Sequence, residues 1–263
     1  CYPQLDMQAI RKHVTTNKDS KYYIPLRLLT YDQMHAFEQY KEKHAEETET
    51  SVIKGVWFEE VYKRIYPYST MACDVIGFTG KDNVGSYGLE EFYNDVLNGT
   101  NGREYGYLGD DSLLERTIKP AVDGYTIHST IDANIQGIVE KYLFKFNEEN
   151  KNAVRTGNGA ENVGCIIMEV DTGNILAMAS YPNFDLNNIK DTNYLLGNVM
   201  VDAQGKKTEQ YITQEDIDAM DDDTLYQNLN YLWKNFCISD TYEPGSTAKP
   251  FTVATALECG AIT

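Results

Sequence analysis

The stretch Tyr242-Glu243-Pro244-Gly245-Ser246-Thr247-Ala248-Lys249-Pro250-Phe251-Thr252 decides the reading of this chain. It sets a serine three residues ahead of a lysine at a predicted helix start. Residues i and i+3 share one helical face, so the Lys249 amine can reach the Ser246 hydroxyl and take its proton. That chemistry needs a neutral lysine, which desolvation and the positive end of the helix dipole favour. A Ser-Lys pair then stands in for a Ser-His pair. Ser-x-x-Lys alone is a weak signal, since most matches are a helix cap followed by a solvated lysine. The flanks strengthen it. Pro244-Gly245 supplies a tight turn, Ser246 is a good N-cap type, and Phe251, Ala254 and Leu257 follow at helical spacing before a Gly260 stop. Pro250 forfeits an early helix hydrogen bond and predicts an irregular first turn.

Working upstream, Val163-Gly164-Cys165-Ile166-Ile167-Met168-Glu169-Val170 and Ile175-Leu176-Ala177-Met178-Ala179-Ser180-Tyr181 read as two strands around the turn Asp171-Thr172-Gly173-Asn174. Before them, Asp132 predicts a cap for a helix carrying Ile135, Ile138, Val139, Tyr142 and Leu143 on one side. Gly85-Ser86-Tyr87-Gly88-Leu89-Glu90-Glu91-Phe92-Tyr93 predicts a short helix with Leu89, Phe92, Tyr93 and Val96 available for burial. Thr30-Tyr31-Asp32-Gln33 is a capping-box pattern opening a helix through His44. Val56 to Tyr66 alternates as a strand would, and Thr213 to Phe236 reads as helical. Asn98-Gly99-Thr100 is better read as a glycine helix end than as a glycosylation site.

Together these segments resemble the penicillin-binding proteins. Ser246-x-x-Lys249 is similar to the S-x-x-K of that family's active-site serine region. Asp123-Gly124 with Ser129 to Gln136 resembles the opening of its transpeptidase domain, and the hairpin ending in Pro182-Asn183-Phe184-Asp185 resembles that domain's first two strands. Gly85 to Glu90 resembles the G-x-x-G-[LI]-E pattern of the class B, monofunctional members. Arg64-Ile65-Tyr66-Pro67 and Val75 to Gly80 match in the same order. The resemblance implies an α+β chain: a mixed pedestal (dimerisation-type) domain over 1–123, then over 124–263 the N-terminal part of a penicillin-binding, serine β-lactamase-like transpeptidase domain, with helices packed on an incomplete antiparallel sheet. It implies cross-linking of D-Ala-D-Ala stem peptides of peptidoglycan, with Ser246 as nucleophile, Lys249 as general base and no cofactor or metal. β-Lactams would be inhibitors, and division or cell-wall synthesis proteins would be partners through the pedestal. The implied location is the extracytoplasmic face of the bacterial plasma membrane, anchored by an N-terminal segment that this chain does not carry.

The family's S-x-N and K-[ST]-G elements lie downstream of S-x-x-K, and only fourteen residues follow Lys249. Arg155-Thr156-Gly157 mimics K-T-G but precedes Ser246 in a polar linker and reads as a turn. The chain starts at Cys1 without Met and lacks the family's early R-G-x-I-x-D-R-x-G segment. The expectation is a fragment carrying the nucleophile without its full catalytic shell, and therefore inactive alone. Two rivals are weighed: a β-lactamase or β-lactam sensor, which would not carry the Gly85–Glu90 pattern, and a non-catalytic cell-wall scaffold with a vestigial Ser246.

Composition bounds the rest. A chain of 263 residues with 42% hydrophobic content can bury real cores in one or two domains, and the polar run from Gly99 to Asp111 predicts a break near Asp123-Gly124. A net charge of −17 repels phosphate backbones and argues against nucleic-acid binding. Glu46-Glu47 and Asp221-Asp222-Asp223 lack the spacing of a calcium loop and read as solvated helix faces. No apolar run reaches the ~20 residues of a membrane helix. Cys1, Cys73, Cys165, Cys237 and Cys259 have no pairing pattern and read as buried thiols without disulfides. His13, His35, His44 and His128 form no zinc-hydrolase pattern.

Overall fold

The computed structural model describes residues 2–48, 53–108, 114–154 and 156–262. It divides into two compact units, Cys1–Lys63 and Arg64–Thr263.

In the first unit, Asp6 caps helix α1 (Met7–Thr16) by accepting from the N–H groups of Gln8 and Ala9, each at 2.9 Å. Helix α2 (Tyr31–Thr48) opens on the expected capping box: Thr30 N–H donates to Gln33 Oε1 at 3.0 Å, and Gln33 N–H to Thr30 Oγ1 at 3.3 Å. Aromatic contacts supply much of its packing, among them Phe37 edge-on to Phe58 at 5.6 Å and His13 stacked on Tyr23 at 4.1 Å. The strand expected over 56–66 is absent, and that segment is irregular. Its alternation finds no neighbouring strand to complete a ladder, and Val61, Tyr62 and Ile65 are exposed.

The second unit starts with short elements: α3 (Cys73–Ile76), β1 (Phe78–Thr79), β2 (Gly85–Ser86), α4 (Gly88–Phe92), α5 (Asn94–Leu97), β3 (Arg103–Leu108) and β4 (Leu114–Lys119). Strands β1 and β2 pair antiparallel, as do β3 and β4 with Arg103 opposite Lys119. The single helix expected after Gly85 is two short ones, and only part of its expected burial forms: Leu89 and Tyr93 are half-buried. Phe92 and Val96 are exposed, whereas Glu90 is 6% exposed. The charge is tolerated because Arg64 grips it, with Nε 2.9 Å from Oε1 and a terminal N–H donating to Oε2 at 3.2 Å. Tyr66 OH also donates to Glu90 at 3.3 Å, and burial followed by that negative neighbour pushes the phenol up to about 12. After α5 the chain must be glycine: a Cβ on Gly99 would sit 1.8 Å from the Val122 carbonyl oxygen.

The remainder is α6 (Ala133–Asn150), β5 (Val163–Met168), β6 (Ile175–Tyr181), β7 (Val199–Val201), β8 (Lys207–Tyr211), α7 (Gln214–Ala219), α8 (Asp222–Leu232), α9 (Phe236–Ser239) and α10 (Lys249–Glu258). The β5–β6 hairpin forms as expected, with Cys165 opposite Ala179. Strands β7 and β8 make a second hairpin. The helix expected over 213–236 is broken, because Asp221 leaves helical geometry to cap α8 through Thr224 N–H at 2.8 Å.

Asp132 caps α6 through the N–H groups of Asn134 and Ile135. The buried stripe of α6 differs from the expected one. Val139 and Leu143 are buried against Ala177 and Ala179, but Ile138 and Tyr142 face solvent while Gln136 and Asn147 are buried. Gln136 earns its place by completing the outer edge of β6: its Oε1 accepts from Met178 N–H and its Nε2 donates to Met178 O, both at 2.9 Å. Asn228 does the same for Val201 of β7 at 2.9 Å in both directions. These amides blunt strand edges that would otherwise carry orphan backbone groups.

The larger core is aromatic, with Phe78 at 5.0 Å from Trp233 and 6.1 Å from Phe184, both edge-on. Trp233 Nε1–H donates to Ile189 O at 3.1 Å, so its one polar atom is satisfied.

Candidate active site

Ser246 lies in a 3-10 turn, Gly245–Ala248, that runs into α10 at Lys249. The irregular turn lies ahead of Pro250 and not at it as expected: Pro250 falls in the first turn of α10, where a missing N–H costs nothing. Ser246 is not the helix cap that its residue type suggested. The cap position is Ala248, without a side-chain bond, and the Ser246 carbonyl accepts from Lys249 N–H. The Ser246 hydroxyl is thereby left uncommitted to the backbone. Gly245 takes φ +56°, left-handed geometry that admits the turn. Thr247 Oγ1 donates to Pro244 O at 2.5 Å and closes it. At the other end Gly260, at φ +66°, stops α10 as expected, with Ala261 N–H donating to Ala256 O at 2.8 Å.

Ser246 and Lys249 are both exposed. Among the described residues neither side chain has a hydrogen-bond or ion-pair partner, so the pair is adjacent along the turn but not joined. Phe251 is 77% exposed and Leu257 53%. The apolar residues of α10 thus meet solvent, and an open groove of about 580 Å3 runs along Phe251, Thr255 and Cys259.

The chain leading into this turn is held by residues that the sequence reading passed over. Asn235 is buried, caps α9 through Cys237 N–H at 3.0 Å, and donates to the Asp74 carbonyl at 3.4 Å. Asp240, six positions before Ser246, has Oδ2 3.8 Å from Lys207 Nζ of β8. Lys207 also pairs with Glu161 and lies 5.1 Å over the Tyr231 ring. Partial burial works against its charge, yet the bonds to Glu161 and Tyr231 outweigh it and hold the ammonium above its ordinary range. Only spatial partners 24 to 161 positions away would have marked these residues.

Further back, Asp74 of α3 is buried against β6 and accepts from the Ser180 hydroxyl, while Cys73 Sγ lies 3.6 Å from its other oxygen. Burial pushes Asp74 up to about 7, against the hydrogen bonds from Ser180 and Cys73 that favour its charge. Four cysteines, Cys73, Cys165, Cys237 and Cys259, are free thiols; Cys73 is buried, but Cys259 is exposed at the C-terminal cap of α10, contrary to the expectation of a buried thiol. Cys1 and Arg155 lie outside the described residues. No described helix is long and apolar enough to cross a membrane.

Comparison with known proteins gives two family matches: the Penicillin-binding Protein dimerisation domain over residues 3–129 and the Penicillin binding protein transpeptidase domain over 163–263. Stage V sporulation protein D of Bacillus subtilis is 30% identical over 220 residues, covering 81% of this chain and 27% of that protein. The peptidoglycan D,D-transpeptidase FtsI of Escherichia coli is 28% identical over 216 residues, covering 80% and 29%. The chain therefore spans less than a third of the length of these curated relatives. A peptidoglycan synthetase from Bifidobacterium adolescentis shares the fold, with a TM-score of 0.53 at 18% identity over 86% of this chain and 33% of its own.

Proposed function

The chain belongs to the penicillin-binding proteins, and from that membership we propose that it is part of a class B peptidoglycan D,D-transpeptidase. Ser246 attacks the penultimate D-Ala carbonyl of a stem peptide, the C–N bond to the terminal D-Ala breaks, and an acyl-enzyme remains. Lys249, as a free amine, takes the serine proton and returns it to the leaving D-Ala nitrogen. The Ser246 N–H is one oxyanion donor. A neighbouring stem-peptide amine then accepts the acyl group, forming the cross-link, and β-lactams enter the same first step and stall there. The observation that carries this reading is Ser246-x-x-Lys249 at the entry to α10, within the transpeptidase-domain match.

By role, residues 1–123 are the pedestal, through which cell-wall synthesis or division proteins would dock, and 124–263 are the N-terminal part of the transpeptidase domain. The protein works at the extracytoplasmic face of the plasma membrane. Exposure of Ser246 and Lys249 supports a further part of the reading: the pair acts only when covered by S-x-N and K-[ST]-G elements, so the 263 residues alone are a poor acylating agent. The test is labelling of the full-length protein with a fluorescent penicillin, followed by peptide mapping. An adduct at Ser246 alone is expected; an adduct on any other residue overturns the assignment.

A further inference from the structure

Beside the chain leaving β6, a recess of about 170 Å3 opens among Phe144, Tyr181, Pro182 and Asn183. Asn158 and Asn198 line its other wall as part of an amide ladder that Asn147 continues behind it. Asn147 Nδ2 lies 3.5 Å from Asn158 Oδ1, Asn158 Nδ2 donates to Asn198 Oδ1 at 2.6 Å, and Asn198 Nδ2 donates to Tyr194 O at 2.9 Å. All three are buried, so this ladder is fixed before any ligand arrives. A carboxamide has two N–H groups and two lone pairs, so Asn158 and Asn198 each retain bonding capacity beyond these contacts.

Other polar groups at the recess are uncommitted. Among the described residues the half-buried Asn183 carboxamide and the hydroxyls of Tyr181 and Tyr194 have no hydrogen-bond partner. Packing alone does not call for so many amides and phenols around one small cavity. Among the described residues no charged side chain lines the recess, so an ion entering it would shed water without a counter-charge in contact from them. Carboxylates stand just outside. Burial and then Glu148 raise Tyr181, while burial and then Asp185 and Asp191 raise Tyr194, so both phenols stay protonated donors and anions are repelled. The volume is well below the several hundred Å3 of a drug-sized site and admits about one small ring. Phe144 and Tyr181, edge-on at 6.0 Å, give that ring an apolar wall.

We propose that this recess binds one unit of a neutral N-acetylated amino sugar, with its acetamido group on the Asn183 and Asn158 amides and its C–H face against Phe144 and Tyr181. An acetamide offers one donor and one acceptor in the same plane, which is what a facing carboxamide complements. The site uses neither Ser246 nor Lys249, so its occupancy is independent of acyl transfer.

The experiment is an NMR titration of the 263-residue chain, reading side-chain amide and tyrosine signals. N-acetylglucosamine and its β-1,4-linked dimer are compared with glucose, which lacks the acetamide, and with glucosamine, which carries a charge instead. Saturable shifts at Asn158, Asn183, Asn198 and Tyr181 are expected with the acetylated sugars, with glucose and glucosamine at least about tenfold weaker. Asn183→Ala should weaken binding by about tenfold, the effect of one lost hydrogen bond. Among the described residues the Asn183 side chain bonds nothing, so that variant should keep a native spectrum; Tyr181→Phe, which retains the ring, should also weaken binding. No saturable shift, equal binding of glucosamine, shifts centred elsewhere, or full affinity in either variant would each overturn the proposal.

Discussion

The Ser180 hydroxyl of β6 donates to the buried carboxylate of Asp74, joining α3 to the hairpin across 106 positions of sequence. Asp74 titrates near 7 in the folded chain, against an ordinary value of 3.8. The folded state therefore holds this proton more tightly than the unfolded state does. The resulting stabilisation is full below the ordinary carboxylate value and is lost as pH rises through about 7, with a limiting slope of about 1.4 kcal/mol per pH unit. Thermal unfolding should accordingly show a midpoint that falls between pH 5 and 7.5. In Asp74→Asn, which keeps an acceptor for Ser180, that fall should flatten. An unchanged slope in the variant would assign the pH dependence to other groups.

Gln136 and Met178 make a second test. Gln136→Leu keeps the volume and the helix propensity but leaves both Met178 backbone groups without partners beside α6. Two orphaned groups should cost on the order of 3 kcal/mol. Gln136→Glu should cost as much or more, since its carboxylate would face both Met178 O and Glu140 Oε1, to which Nε2 now donates at 2.8 Å. Urea denaturation of the three proteins measures this, and a loss below about 1 kcal/mol in Gln136→Leu would mean that water replaces the amide.

Why Gln136 was not legible in the sequence is instructive. Its hydrogen bonds go to a strand 42 positions away, as those of Glu90 go back to Arg64, and a period-3.6 reading assigns polar residues to solvent by default. Local chemistry was legible where it closes on itself. Asp132 caps α6, Thr30 and Gln33 form their box, Gly260 ends α10, and the Asp171–Asn174 turn sets the hairpin, all within a few residues. The strand expected over 56–66 failed for the converse reason, since alternation specifies a strand only where a partner completes it. Of the candidate site, Ser246 and Lys249 were marked by spacing, whereas Asn235 and Asp240, which hold the approach to them, are defined by Asp74 and Lys207.

The cysteines should react in order of exposure. Cys259 should alkylate first, Cys165 and Cys237 more slowly, and Cys73 only on unfolding, because burial and then the Asp74 charge raise its thiol far above the ordinary range and no reagent reaches it. Time-resolved iodoacetamide labelling read by peptide mass spectrometry gives the order. Early modification of Cys73 would show that α3 opens from the core.

Lys249→Arg in the full-length protein separates the roles proposed for the Ser-Lys pair. A guanidinium keeps positive charge at the same helical position but stays protonated at any working pH and cannot take the serine proton. Penicillin acylation should fall at least about 10²-fold, the scale of losing a general base, with the fold unchanged by circular dichroism. Acylation at the native rate would leave Lys249 as a charge donor and place the base elsewhere.

Helix α10 has ten residues, Phe251 and Leu257 face solvent, and the turn that precedes it is closed by Thr247 on Pro244. Isolated helices shorter than about 12 to 15 residues are marginal in water, so in the 263-residue chain the α10 amides should exchange with solvent nearly as fast as an unstructured peptide. The α6 and β6 amides should be protected, since α6 buries Val139 and Leu143 on β6 and Gln136 closes its edge. A nucleophile in the turn that enters a fraying helix holds its geometry only part of the time, so acylation of the chain alone should be slow in proportion to the open fraction. Hydrogen exchange and penicillin acylation measured on the same sample test the link. Protection of Thr252 to Leu257 comparable to that of α6 would show that α10 is stable without cover, and slow acylation would then need another cause.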